Sequence, residues 1–116
     1  TYDQFDENGH HSTFTMMEEA VRQVLREGYA PEQILPGIPA YGRPLDRSPS
    51  WPLYRDAGLP ADEEILNGAA YNCTETVTQK TSFAREAAGG VFFFHLLGDL
   101  PADSPLSLLH AAEAAA

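Results

Sequence analysis

The stretch Ile34–Arg43, with the sequence ILPGIPAYGR, decides the fold of this chain. Two prolines and a glycine exclude a helix interior, because proline lacks the N–H donor and glycine loses the most entropy on folding. A short apolar stretch of this kind is typical of a parallel strand that is buried on both faces. It ends in Tyr41-Gly42-Arg43. A ring hydroxyl and a fixed cation are therefore predicted at the carboxyl end of the strand, where α/β proteins bind ligands.

Three helices are predicted around this strand. Thr15 and Glu18 form a T-x-x-E capping box at the start of the first helix, and Gly28 ends that helix. The second helix spans residues 74–88, and the third begins at Ser104-Pro105, an N-cap followed by proline at the first helical position. The buried stripes predicted from helical spacing are Met17, Ala20, Val21, Val24 and Leu25; Val77, Thr81, Ala84 and Ala88; and Leu106, Leu109, Ala112 and Ala116.

Two further strand segments complete the predicted order. Val91–Leu97, with the sequence VFFFHLL, is a second buried strand, and Thr1–Asp3 is interpreted as the end of an earlier one. The proline-rich segment 44–72 is predicted to be irregular. Alternation of strands and helices implies parallel strands with right-handed crossovers, so we expect an α/β chain of three βα units.

Composition excludes several classes of partner. Lys and Arg number 7 against 17 Asp and Glu, for a net charge of −10, so nucleic acid and anionic membrane surfaces would be repelled. The one cysteine, Cys73, cannot form an internal disulfide and is predicted to be a buried thiol. Asn72-Cys73-Thr74 matches the N-glycosylation pattern. His10-His11 lacks a third ligand at sensible spacing, so the pair is interpreted as a loop and no metal site is predicted.

Three polar clusters follow the predicted strands, at Tyr2-Asp3, at Tyr41–Arg43 and at His95–Asp99. Because the carboxyl ends of parallel strands meet at one edge, we expect these clusters to converge there. Trp51 and Tyr54 lie in the long segment after the central strand. They either stack on a ring-shaped ligand or pack the segment onto the body of the protein, and both interpretations stay open.

The clusters resemble the sixth, seventh and eighth strands of glycoside hydrolase family 18, the chitinase family. Tyr2-Asp3 matches the Y-D of the M-x-Y-D motif, and Gly37–Arg43 matches G-x-P-x-Y-G-R. Gly89–Leu96 is similar to the final strand, G-G-V-M-x-W-E-L, and Asp99 follows where that family often has an acid. Val77–Lys80 resembles the lysine-bearing helix before that strand, so the resemblance covers nearly the whole chain.

This resemblance implies a (β/α)₈ barrel of which residues 1–116 are the C-terminal portion, a partial catalytic domain. Enzymes of the family hydrolyse β-1,4-linked N-acetylglucosamine polymers with retention, because the substrate's own acetamido oxygen attacks the anomeric carbon. Their general acid is a glutamate in a D-x-x-D-x-D-x-E motif, which this sequence lacks. We therefore expect the chain alone to be inactive. The resemblance implies no cofactor, and it favours a secreted or cell-envelope location.

The resemblance also assigns roles to individual residues. Tyr2 and Asp3 are the predicted catalytic residues: Tyr2 would hold the acetamido group, and Asp3 would accept from sugar hydroxyls at the cleavage subsite. Tyr41, Arg43 and Phe94 are predicted to bind substrate, with Trp51 as a further stacking platform. The alternative is a structural hydrogen-bond network for Tyr41 and Arg43, and a solvated loop acid for Asp3.

Two departures from the family pattern matter. Phe94 replaces the tryptophan on which the sugar stacks, and it offers less area and no indole N–H. His95 replaces the following glutamate and is predicted to be a core residue. These departures leave room for another N-acetylglucosaminidase or a peptidoglycan-directed enzyme.

Three functions remain open from the sequence. The first is a chitinase-type hydrolase, and the second is a catalytically inactive, lectin-like relative. The third is a small acidic interaction domain, which predicts that Tyr2, Asp3, Tyr41 and Arg43 are scattered. The expected partner in the first two is an oligosaccharide or polysaccharide containing N-acetylglucosamine. Self-association, or association with the missing barrel half, is also expected because three βα units leave two bare sheet edges.

Overall fold

The computed structural model describes all residues from 1 to 116, and it has α/β architecture. The helices are α1 (Phe14–Arg26), α2 (Thr74–Ala87) and α3 (Leu108–Ala115). The strands are β1 (Gly37–Pro39), β2 (Arg43–Pro44), β3 (Ile65–Leu66), β4 (Ala69–Ala70) and β5 (Phe92–Phe94). None of the helices has the length and apolar character needed to cross a lipid bilayer.

The centre of the fold is a parallel pair formed by β1 and β5, as the sequence predicts. Gly37 lies opposite Phe92, and Pro39 opposite Phe94, with α2 in the connection between the strands. The regular part is much shorter than the predicted 34–43 and 91–97, because prolines interrupt the first segment and a 3₁₀ turn at Leu96–Gly98 ends the second. Thr1–Asp3 forms no strand, which corrects the prediction of a third parallel strand.

The segment 44–72 was predicted to be irregular, and this was wrong. β2, β3 and β4 form a small antiparallel sheet in the order β2-β4-β3. Asn67 and Gly68 both have left-handed backbones, with φ of 51° and 77°, and make the two-residue turn between β3 and β4. Asn-Gly is the strongest short-range hairpin signal. Strands of two residues, however, show no alternation that a sequence pattern could reveal.

The first helix begins two residues earlier than predicted. Thr13 is its N-cap, and its hydroxyl accepts the backbone N–H of the residue three positions on. Thr15 is an exposed residue inside the helix. Glu18 pairs with Arg22 at 3.1 Å, one turn further on, and so does not complete a capping box. Gly28, with φ of 102°, follows the end of the helix as predicted.

The third helix begins at Leu108 and not at Pro105, because its cap is different from the predicted one. Ser107 is the N-cap, and Asp99 supports it from across the preceding turn. The Asp99 carboxylate accepts the N–H of Leu108 at 2.7 Å and that of Leu109 at 2.9 Å. It also accepts the Ser107 hydroxyl at 3.0 Å. The buried face of α3 consists of Leu108, Ala111, Ala112 and Ala115, so only Ala112 of the predicted stripe lies on it.

The hydrophobic core lies between the three helices and one face of the parallel pair. Its most buried side chains are Met17, Val21, Ile38, Val77 and Leu108. Cys73 is buried, as predicted. Phe93 points from β5 into this core, whereas Phe92 and Phe94 on either side of it are exposed. β5 therefore places one side chain against the core and two at the surface, whereas all three residues of β1 are buried.

Candidate functional site

The predicted site residues meet at the carboxyl edge of the parallel pair. Tyr41 and Arg43 follow β1, Phe94 ends β5, and Tyr2-Asp3 lies against both. Trp51 lies beside the same group of residues, because its indole contacts the Arg43 guanidinium. The third hypothesis, an interaction domain with these side chains scattered, is wrong on this point. The catalytic and substrate-binding roles of the six residues stay predictions.

The Asp3 carboxylate is the centre of the cluster. Its Oδ1 accepts the Tyr41 hydroxyl at 3.1 Å and the Arg43 Nη1 at 2.9 Å. Burial acts to raise the pKa of Asp3, but the hydrogen bonds from Arg43 and Tyr41 and the charge of Arg43 outweigh it, so the pKa is lowered. The group is consequently ionised at neutral pH. Its Oδ2 makes no hydrogen bond within the chain, and the side chain is 46% exposed, so this oxygen can accept from a ligand.

Tyr41 and Arg43 both donate to the Asp3 carboxylate and have Gly42 between them. A Cβ on Gly42 would lie 2.5 Å from the ring of Tyr71, so only glycine allows that ring to pack against the strand end. Burial raises the pKa of Tyr41, and the charge of Asp3 and its hydrogen bond raise it further. Tyr41 therefore remains a protonated donor to Asp3 throughout the physiological range.

The guanidinium of Arg43 lies over the indole of Trp51, with 4.6 Å between the guanidinium carbon and the ring centre. Such a cation–π contact contributes about 0.5–2 kcal/mol and fixes both side chains beside the site. Trp51 is half exposed, so it still has indole surface available to a ligand. Tyr54 is different. It is buried and donates to the Leu106 carbonyl at 2.6 Å, so it packs its segment onto the body of the protein.

Tyr2 and Phe94 provide the apolar part of the site. Their ring centres are 6.1 Å apart, and the Tyr2 ring also meets the edge of Tyr41 at 6.4 Å. The Tyr2 hydroxyl makes no hydrogen bond within the chain, so it is available to a ligand. Phe94 is half exposed and presents an apolar face of the kind on which a sugar ring can stack.

A cavity of about 350 Å³ lies at the strand ends, and Arg43 is the one residue of the cluster that does not line it. Its lining is Tyr2, Asp3, Tyr41, Trp51, Leu53, Phe94 and His95. His95 is part of this lining and is partly exposed, which corrects its assignment to the core. A second cavity, of about 450 Å³, lies at the opposite end of β5 between α2 and α3, away from the polar cluster. The cavity at the strand ends combines apolar rings, an ionised acceptor and a free hydroxyl. It is therefore suited to a polyhydroxylated ligand with an apolar face.

His11 belongs to this site, although the sequence indicated only a loop. Its side chain is fully buried, and its Nε2 accepts the backbone N–H of Asp3 at 3.0 Å. The imidazole lies between the rings of Phe5 and Tyr41, with both ring centres 5.5 Å away. Burial lowers the pKa of His11 to about 4, so the imidazole is neutral at physiological pH. Nothing in the neighbouring sequence signals this role, since the contact is formed by residues eight positions apart in a loop.

Lys80, the only lysine of the chain, is fully buried beneath the site. Its Nζ donates to the Ser12 carbonyl at 2.5 Å, to the Ser12 hydroxyl at 3.1 Å and to the Asn72 Oδ1 at 2.5 Å. The three donors of the ammonium group are thus all satisfied, while burial lowers the pKa of Lys80 to about 7. The sequence did contain a signal, because Lys80 lies three positions after Val77, a member of the predicted buried stripe, and so belongs to the same side of α2.

The Asn72 side chain is buried in the same network. Its Nδ2 donates to the carbonyls of His11 and Ser12, at 3.0 and 3.2 Å. A glycan on this nitrogen would break both bonds and has no space, so the glycosylation pattern is not usable in the folded chain.

No family model and no curated protein matches this chain. Its fold is similar to the GH18 chitinase ChiB from the chitin utilization locus of Flavobacterium johnsoniae, with a TM-score of 0.84 and 22% identity over 98% of this chain. A chitinase from Bacteroides thetaiotaomicron is also similar, with a TM-score of 0.79 and 20% identity over 96% of the chain. The chitinase RmChi1 from Rhizomucor miehei has a TM-score of 0.60 and 18% identity over 86%.

The chain thus has the fold of part of a glycoside hydrolase family 18 chitinase, which confirms the resemblance at the level of the fold. It spans 40% of the length of ChiB, 42% of the Bacteroides chitinase and 39% of RmChi1.

Proposed function

We propose that this chain is the C-terminal part of a chitinase-type catalytic domain, and that it forms one wall of a cleft that binds glycans containing N-acetylglucosamine. The observation that carries this proposal is the Asp3 carboxylate, held by Tyr41 and Arg43 beside the free Tyr2 hydroxyl and the open face of Phe94. The cluster lies at the carboxyl edge of parallel strands, in a fold shared with chitinases.

The proposed reaction is retaining hydrolysis with the substrate as its own nucleophile. The acetamido oxygen forms a bond to the anomeric carbon while the glycosidic C–O bond breaks, and the leaving oxygen takes a proton from a general acid. Water then attacks the anomeric carbon, the bond to the acetamido oxygen breaks, and the water returns a proton to the same acid–base group. Tyr2 would donate to the acetamido group and hold it in line for this attack. The free oxygen of Asp3 would accept from a sugar hydroxyl, and Phe94 would stack beneath the ring.

Asp3 is a poor candidate for the general acid. Its pKa is lowered, so it does not hold a proton at neutral pH, and it is the only carboxylate lining the cavity. We therefore place the proton donor in a part of the complete protein beyond this chain, and expect the chain alone to be inactive.

The same feature supports a second candidate function, a lectin-like protein that binds glycans without cleaving them. If the complete protein carries no general acid facing this cavity, a bound sugar would contact the Asp3 carboxylate, the Tyr2 hydroxyl and the Phe94 ring. These groups suffice for binding without cleavage. Phe94, which stands where the chitinase family has tryptophan, is compatible with weaker distortion of the sugar ring.

The experiment that tests the proposal is turnover of a fluorogenic chitobioside by the complete protein. Tyr2→Phe and Asp3→Asn should each lower kcat/KM about 100-fold, because each removes a group that positions the substrate. Matched controls are Tyr29→Phe and Asp62→Asn, which alter exposed side chains away from the cavity and should change turnover less than about twofold.

Three outcomes separate the functions. Turnover that the two site variants abolish supports the hydrolase. Binding of chito-oligosaccharides without turnover, lost in the same variants, supports the lectin-like protein. A complete protein that neither binds nor cleaves them contradicts both.

A further inference from the structure

A buried polar network beneath the site holds the backbone at His11 and Ser12. Ser12, Asn72 and Lys80 are all but inaccessible to solvent. Lys80 and Asn72 both donate to the Ser12 carbonyl, and Asn72 also donates to that of His11. Ser12 has a left-handed backbone, with φ of 49°, which an isolated serine rarely adopts. The network therefore fixes where the His11 side chain can lie.

His11 passes this constraint on to Asp3. Asp3 is also left-handed, with φ of 61°, and the His11 Nε2 accepts its N–H at 3.0 Å. A nitrogen that accepts in this way has no proton, so a neutral imidazole carries its proton on Nδ1. The groups that face the imidazole are Asp3, Tyr41, Arg43 and Lys80. Burial is the main reason that the pKa of the imidazole is lowered, and the charges of Lys80 and Arg43 lower it further against the opposing charge of Asp3.

We propose that His11 is a positioning residue for the candidate site, and that its Nε2 lone pair holds the Asp3 backbone in the conformation that directs the carboxylate to Tyr41 and Arg43. Without that acceptor the Asp3 N–H is unpaired, and Asp3 relaxes to the commoner negative φ. The carboxylate then moves away from its two donors. The effect of His11 on turnover rests on the proposed function, whereas its effect on Asp3 does not.

The first test is the pKa of the Asp3 carboxyl, measured by ¹³C NMR in the complete protein. His11→Leu should return this pKa toward its ordinary value, because the contacts with Tyr41 and Arg43 are lost. His11→Gln retains an acceptor oxygen near the position of Nε2 and should keep the pKa low. His10→Gln, a change at the partly exposed neighbour, is the control and should leave it unchanged. An Asp3 pKa that is the same in His11→Leu as in the wild type would overturn the proposal.

The second test is kinetic and uses the fluorogenic chitobioside. His11→Leu should lower kcat about 30-fold, and His11→Gln should recover most of that loss, because displacement of a positioning group by about 1 Å costs up to about 100-fold. In an Asp3→Ala background, His11→Leu should cause no further loss, since its target is already absent. A purely structural role predicts equal losses in the Leu and Gln variants and a further loss in the double variant, and either result would contradict the proposal.

Two further outcomes are also decisive. If His11→Leu does not fold, His11→Phe takes its place, because it keeps a ring between Phe5 and Tyr41 while removing the acceptor. If neither variant folds, His11 is needed for folding alone and the proposal fails. If the wild type shows neither turnover nor glycan binding, the proposed function fails, but the NMR result still decides the role of His11.

Discussion

Asp99 offers the sharpest test of how the fold is held together. Its two carboxylate oxygens accept four hydrogen bonds of 2.7 to 3.0 Å, from the backbone N–H groups of Leu100, Leu108 and Leu109 and from the Ser107 hydroxyl. Asp99 is itself buried, and so is Leu108. In Asp99→Ala, the N–H groups of Leu108 and Leu109 in the first turn of α3 therefore lose their acceptor, although the Ser107 N-cap remains, and water cannot fully replace the carboxylate.

The cost follows from these contacts. Loss of a side-chain acceptor at a helix N-terminus costs about 1 kcal/mol, and a buried N–H left without an acceptor costs a further ~1–3 kcal/mol. We expect Asp99→Ala to lower the free energy of unfolding by about 3 kcal/mol, or about 150-fold in the folded-to-unfolded ratio. Asp99→Asn keeps one acceptor oxygen but turns an NH₂ toward the other donors, so it should cost about half as much.

The measurement is urea denaturation of the 116-residue chain, followed by far-UV circular dichroism and by the fluorescence of Trp51, its one tryptophan. All variants are compared at one protein concentration, because association would shift the midpoint. Asp103→Ala is the control, since Asp103 is exposed and makes no hydrogen bond, and it should stay within about 0.5 kcal/mol of the wild type. If Asp99→Ala does the same, the carboxylate does not stabilise the first turn of α3 in the way its hydrogen bonds indicate.

Three further predictions follow from the structure. The free energy of unfolding should fall by about 3 kcal/mol as the pH drops from about 6.5 to about 4, because the unfolded chain protonates His11 in that interval and the folded chain does not. Urea titration at each pH measures this, and His11→Leu should flatten that part of the profile. Gly98→Ala should destabilise the chain by about 2–3 kcal/mol, since its Cβ would lie only 2.2 Å from the Ala40 carbonyl oxygen. In Gly58→Ala the new Cβ meets no atom within 4 Å, so only the left-handed backbone costs energy, about 1 kcal/mol; a larger loss of stability in Gly58→Ala than in Gly98→Ala would refute the clash. In size-exclusion chromatography with light scattering, the chain should also show a mass above its 12.7 kDa monomer mass, because the β5 side chains Phe92 and Phe94 are exposed. A stable monomer at micromolar concentration would contradict this.

Local patterns predicted the elements on which the site depends. Helical spacing predicted α1 and α2, because side chains three and four positions apart lie on the same face of a helix. The Tyr41-Gly42-Arg43 sequence after an apolar stretch located the carboxyl end of β1. The parallel rule then predicted that this end would meet Tyr2-Asp3 and the cluster His95–Asp99. The structure brings Tyr2, Asp3 and His95 to one cavity, whereas the Asp99 carboxylate binds the start of α3 instead.

Helix ends were predicted less well, because capping depends on geometry that several residues can satisfy. Thr13 and Thr15 are equally good N-cap types, and Ser104 and Ser107 likewise. In α3 the choice is made by Asp99, whose carboxylate reaches the helix only after the intervening turn has formed. The small antiparallel sheet was not predicted, because strands of only two residues have no recognisable pattern until they pair with one another.

By itself, the sequence determined the α/β class, the parallel pair and the edge at which its polar side chains gather. These depend on periodicity, turn residues and the direction of the chain, all of which are local or topological. Only the tertiary structure decided that His11 supports Asp3 and that Lys80 is buried beneath them. The physical reason is that burial and hydrogen-bond partners set the charge, and therefore the role, of a histidine or lysine. Lys80 also donates to Ser12, 68 positions away in the chain, and no local pattern can indicate such a contact.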